Sequence, residues 1–107
     1  MRYRVKLTHE AEEDLLRLYD FVLERELGRA GGGGDLERAE EARQAIQDGF
    51  ATLQSSPFTC RKAGQSPLIR ELVIPFGSTG YVALFEIAGN DTVIIAAVRH
   101  QREDDYH

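Results

Sequence analysis

"VIIAAVRHQREDDYH", residues 93–107, decides the architecture. Every residue from Val93 to Val98 is apolar. A run of that kind suits a strand covered on both faces, so it belongs inside a sheet with helices laid over it. At Arg99-His100 the run stops, and the tail beyond is mostly charged or ionisable. Either that tail is a solvated end, or the strand holds Arg99 and His100 at the rim of a site.

Two more strands are predicted upstream, LIRELVI at 68–74 and GYVALFEI at 80–87, with the third at 92–98. PFGSTG and AGND separate them and are rich in turn residues. Links this short favour antiparallel hairpins. Before them FTCRKAGQSP reads as a loop containing the one adjacent basic pair, Arg61-Lys62.

The N-terminal half reads as one strand and two helices. In YRVKL, Tyr3, Val5 and Leu7 alternate with Arg4 and Lys6, the pattern of a half-buried strand. Thr8 is a candidate N-cap, with Glu10, Glu12, Glu13 and Asp14 where carboxylates suit the helix dipole. Ala11, Leu15, Leu18, Tyr19 and Val22 recur at helical spacing, which predicts a helix to about Leu27. Gly28 is its candidate C-terminal cap, and the run Gly31–Gly34 a connector. From an N-cap at Asp35, a second helix carries the stripe Leu36, Ala39, Ala42, Ile46, Phe50 and Leu53. Gly49 weakens that helix by about 1 kcal/mol against alanine, and Ser55-Ser56-Pro57 ends it. The expected fold is α+β: an N-terminal strand, a two-helix antiparallel hairpin, then a three-stranded antiparallel sheet that the helices cover.

A chain of 107 residues is the usual size of one domain, taken here as residues 1–107. The single Cys60 cannot form an internal disulfide, which suggests a reducing compartment and a structural thiol. No apolar run approaches a membrane span, and MRYRVKLTHE is not a signal peptide. A cytoplasmic protein without membrane attachment is expected. The net charge is −5, and the segment 35–59 carries −3 of it. Extended nucleic-acid binding normally needs a basic footprint, so it is disfavoured.

Candidate chemistry is sparse. His9, His100 and His107 lie far apart beside one cysteine, so no metal site is legible, and His9 is expected at the surface. No Gly-Lys-Ser/Thr follows the glycine run, and no cofactor is indicated. The carboxylates Glu103, Asp104 and Asp105 read as solvated charge. Arg70 interrupts a strand face between Leu68 and Leu72. It is either a structural, snorkelling or ion-paired residue, or one that recognises an anion. Arg99, His100 and Arg102 follow the interior strand, and a rigid strand can place side chains accurately. Arginine clamps phosphate, histidine moves a proton near neutrality, and Tyr106 can stack or donate its hydroxyl. The alternative is that Arg99 pairs with a helix carboxylate while the tail frays.

Four stretches in this order resemble the RelE/ParE superfamily of type II toxin–antitoxin toxins, also known as plasmid-stabilisation proteins. They are YRVKLTHEAEEDL with LYDFV, then LQSSPF, then LIRELVI with YVALFEI, then VIIAAVRHQREDDY. The resemblance spans nearly the whole chain, with the glycine run as an insertion between the helices. It implies a bacterial toxin held inactive by a neighbouring antitoxin in a hetero-oligomer. RelE-like members cut messenger RNA on the ribosome, whereas ParE-like members poison DNA gyrase without cutting RNA. Arg70, Arg99 and Tyr106 match the family's strand arginine, strand-end basic residue and tail aromatic. The lysines of RelE-like nucleases are largely missing, with only Lys62 close by, and the charge is acidic. A ParE-like gyrase inhibitor with a ParD-like antitoxin is therefore favoured. Its target-binding candidates are Arg70, Arg99, His100 and Arg102, and its antitoxin-binding candidates Leu15, Leu18, Val22, Ile46 and Phe50. If the chain is a nuclease, the catalytic set would be Arg70, Arg99, His100 and Tyr106. An inactive member that only binds antitoxin is a third possibility.

Overall fold

A computed structural model of the chain describes residues 2–27, 36–103 and 105–106. Strand β1 (Arg4–Leu7) leads into helix α1 (His9–Leu27), followed by helix α2 (Leu36–Thr52) and a 3-10 turn (Pro57–Thr59). Strands β2 (Arg61–Lys62), β3 (Ile69–Phe76), β4 (Thr79–Ala88) and β5 (Thr92–His100) complete the α+β fold. The expected cap at Gly28, the Gly31–Gly34 run, the N-cap at Asp35, and Asp104 and His107 lie outside the described residues.

The sheet has five strands in the order β1-β5-β4-β3-β2, not the three expected. β1 joins it beside the last strand, with Arg4 opposite Thr92 and Leu7 opposite Ile95, in parallel. Parallel neighbours need a long crossover, and everything between residues 8 and 91 supplies it. The pair Arg61-Lys62, expected in a loop, is a two-residue edge strand against Arg70 and Glu71. Short, charged strands are how sheets blunt their edges. Beyond Glu71 no described strand pairs with the outer side of β3, so Pro75 fits there without removing a ladder bond. Phe76 pairs with Thr79, leaving Gly77-Ser78 as a two-residue turn with Gly77 at φ +60°. Glycine first in such a turn is the type II′ pattern.

One irregularity sets which way the end of β5 points. Leu84 faces Ala97 but Phe85 faces Ile95, so Ala96 is an extra, bulged residue. Before the bulge Val93 and Ile95 face the helices; after it Val98 and His100 do, opposite Ala83 and Tyr81. Arg99 is thereby turned to the other face of the sheet. The bulge is held from α1: Asp14 is buried and accepts the Val98 N–H at 2.9 Å. Thr8 bonds the Ala96 carbonyl (3.0 Å) and also caps α1 through the Ala11 N–H (3.1 Å).

The core lies between the sheet and the helices. Phe85, Ile87, Val93, Ile95 and Val98 meet Ala11, Leu18, Ala42, Ile46 and Leu53. Gly49 weakens α2 intrinsically, yet it has a packing reason. A Cβ there would sit 2.9 Å from Ile74 Cγ1, so glycine lets α2 approach β3 closely.

Candidate functional site

Arg70 is a structural cross-link. Its Nε donates to the Pro67 carbonyl (2.8 Å), and its Nη1 to the carbonyls of Phe58 (3.0 Å) and Cys60 (2.7 Å). The guanidinium also lies 5.2 Å from the Phe58 ring centroid. These bonds tie β3 to the segment after α2 and engage Nε and Nη1 of the group. Burial pushes the neighbouring Cys60 thiol upward, partly opposed by Arg70, so it is a poor nucleophile.

Arg99 stands on the sheet face away from the helices, opposite Val82. Its Nη1 donates to the Glu103 carbonyl at 2.7 Å and, over longer distances, to those of His100 and Gln101. Its Nε is buried without a partner among the described residues. Tyr106 lies against this guanidinium, 5.1 Å from ring centroid to Cζ, and donates its hydroxyl to Glu71 Oε2 at 2.6 Å. Glu71 also holds Arg61 at 3.1 Å. The tail thus reaches from β5 to β3 across β4, and Val82 beneath is 1% exposed. Burial, then the bond to Glu71, pushes the Tyr106 hydroxyl well above the ordinary tyrosine value. It stays protonated and is unsuited to move a proton at neutral pH.

His100 and Arg102 lie elsewhere, at the end of the helix layer. The Arg102 backbone N–H donates to His100 Nδ1 (3.1 Å), which places the ring proton on Nε2, 3.2 Å from Thr79 Oγ1. Burial first, then the Arg102 charge, lowers the His100 pKa, with Arg25 adding to the effect and Glu103 opposing it. The imidazole is neutral near pH 7. Around it is a pocket of about 120 Å³ that also takes in Arg25, Arg38, Ser78 and the rings of Phe21 and Phe76.

The expected target-binding residues therefore fall in three places. Arg70 is at the β2–β3 corner, Arg99 on the tail-covered face, and His100 with Arg102 beside the helices. Arg70 pairs with Phe85 and His100 with Tyr81, four residues apart on β4, or about 13 Å. The four groups of the nuclease set do not converge.

A separate groove of about 530 Å³ runs between α1 and α2. Leu18 and Ile46 form its floor, and Leu15 and Val22 its walls. Leu16, 65% exposed, stands at its rim. Phe50 is half-buried and packs on the core outside this lining.

Across residues 5–105 the sequence matches the family model described as the ParE toxin of type II toxin–antitoxin system, parDE. The chain belongs to the ParE toxin family. A solved structure described as the chromosomal ParDE TA system from P. aeruginosa is similar in fold, with a TM-score of 0.67 and 23% identity. That match covers 96% of this chain and 98% of the other. The search of curated proteins finds no matching relative. Within this ParE-family chain, no His, Cys, Asp or Glu cluster among the described residues could hold a metal ion. None of its described helices is long and apolar enough to cross a membrane.

Sequence reasoning missed Leu16, Tyr19 and Tyr81 in the groove, and Arg25 and Arg38 in the cationic pocket. Leu16 was hidden by its neighbour Leu15, since helical spacing marks only one of two adjacent leucines as inward. Arg25 and Arg38 stand on two different helices. Nothing in their local spacing shows that the hairpin brings them together.

Proposed function

We propose that this chain is a ParE-type toxin that inhibits DNA gyrase by binding it, and that a ParD-like antitoxin neutralises it in the bacterial cytoplasm. The α1–α2 groove carries this reading. It is a continuous apolar trough, rimmed by the exposed Leu16, of the shape that takes one face of an amphipathic helix. An antitoxin helix lying in it would cover Leu15, Leu16 and Val22 and rest on Leu18 and Ile46. Phe50 would act indirectly, by supporting the groove from the core.

The nuclease alternative draws little support from the same geometry. Tyr106 is engaged with Glu71, Arg70 with three carbonyls, and Arg99 with the tail. The net charge of −5 also works against approach to the ribosome. Inhibition by binding needs no proton transfer from these groups.

Induced expression in bacteria, with and without the partner gene, tests the proposal. Gyrase-trapped DNA breaks and a DNA-damage response are expected before protein synthesis falls. Early cleavage of translated messages would replace the gyrase reading with the nuclease one. Absence of any growth effect would leave only an antitoxin-binding module. Leu16→Glu should leave the unfolding free energy nearly unchanged, within about 0.5 kcal/mol for a surface change, while weakening neutralisation. Full neutralisation of that variant would remove the groove as the antitoxin site.

A further inference from the structure

The described arginines divide into three groups. Arg4, Arg17, Arg43 and Arg61 pair with carboxylates. Arg2, Arg70 and Arg99 donate to amide or carbonyl oxygens. Only Arg25, Arg38 and Arg102 have no side-chain hydrogen bond or ion pair to a described residue, and all three line the same pocket of about 120 Å³. Among the described residues no carboxylate lines it. In a chain of net charge −5, three arginines with no described carboxylate partner around one hollow is an arrangement that asks for an anion.

The uncharged groups there are also set to donate. With the His100 proton on Nε2 directed at Thr79 Oγ1, the Thr79 hydroxyl hydrogen is free for another acceptor. Ser78 adds a second hydroxyl from the two-residue turn. Arg38 is held in place rather than waving in solvent: its Cζ lies 4.4 Å from the Phe76 ring centroid. Gly77 makes room for it, since a Cβ there would come within 2.6 Å of Arg38 Nη2. The volume equals about four waters, enough for one tetrahedral oxyanion and too small for a nucleoside. Phe21, 56% exposed, stands at the pocket wall as a surface on which a base could stack.

We infer that the pocket bounded by Arg25, Arg38, Arg102 and Thr79 binds a phosphate group, either free or carried by a nucleotide whose base rests on Phe21. It is distinct from the helix–helix groove, although Val22 and Tyr81 contribute to both. A bound phosphate would therefore sit beside an antitoxin helix.

Calorimetric titration of the full chain at pH 7 tests this, using inorganic phosphate, deoxyadenosine 5′-monophosphate and unphosphorylated deoxyadenosine. Saturable binding of both phosphate compounds and none of deoxyadenosine is expected. Arg38→Gln combined with Arg102→Gln should weaken it by about tenfold or more, the loss of charge-assisted contacts. Thr79→Val should weaken it less. If the monophosphate binds more tightly than phosphate and Phe21→Ala removes the difference, a nucleotide is the source; equal affinities point to free phosphate. No saturable phosphate binding would overturn the inference. So would binding that survives the double arginine variant with its circular dichroism unchanged, or equal binding of deoxyadenosine. Neither gyrase nor antitoxin is present, so failure here is separate from failure of the toxin reading.

Discussion

The two faces of the sheet are covered by different means. On one, α1 and α2 bury Phe85, Ile87, Val93 and Ile95 under apolar side chains. On the other, the chain's own tail lies across β4, fastened by Arg99 to the Glu103 carbonyl and by Tyr106 to Glu71. Apolar burial is non-directional and scales with area, so the helix layer is strong and still leaves a groove. The tail has few apolar residues and depends on oriented hydrogen bonds, each of modest net worth. One cover is thus built for stability, the other for position.

That contrast can be broken by mutation. The largest effect is expected for Phe85→Ala, about 3–5 kcal/mol by denaturant unfolding, because a ring is removed from a closed core. A loss below about 1 kcal/mol would mean the helix layer is not the main source of stability. Asp14→Ala is expected to cost about 1–3 kcal/mol, since it strands the buried Val98 N–H at the bulge. Asp14→Asn retains an acceptor and should cost less. Equal losses in the two variants would show that the bond to Val98 is not what Asp14 contributes.

Tyr106→Phe removes only the latch bond, and a loss of about 1 kcal/mol or less is expected. Hydrogen exchange should quicken for residues 99–106 while the β5 core amides keep their protection. Faster exchange throughout β5 would join the two covers into a single cooperative unit. The smallest effect concerns pH. His100 has a folded-state pKa lowered from 6.5, so the unfolded chain binds more protons in the window just below that value. Stability should therefore rise with pH through that window. The rise should be smaller in His100→Gln, and an identical pH profile in that variant would place the titrating group elsewhere.

Much of the fold was legible because periodicity reports burial directly. The alternation in Tyr3–Leu7, the helical stripe through Leu18 and Val22, and the apolar run at Val93–Val98 each match an observed element. Thr8 was recognisable as a cap from its place before a run of carboxylates. Pairing partners were not legible. The parallel neighbour of β1 lies some 88 residues away, from Arg4 to Thr92, and no local pattern encodes a register over that distance. The groove residues were mostly visible as the apolar stripes of two helices, but stripe membership does not distinguish core from rim: Phe50 packs on the core outside the groove lining, and Leu16, off the stripe, stands at the rim.

By itself the sequence determined the two helices, the four longer strands and their order, because those depend on side chains repeating at fixed local spacings, and its motifs pointed to the family. It also supplied the cations near the end of the last strand. Which of them share a site was decided only in three dimensions. A single bulged residue, Ala96, held by Asp14 and Thr8 from α1, puts His100 beside the helices and Arg99 on the opposite face. A strand has a side-chain period of two, so one extra residue reverses every orientation after it.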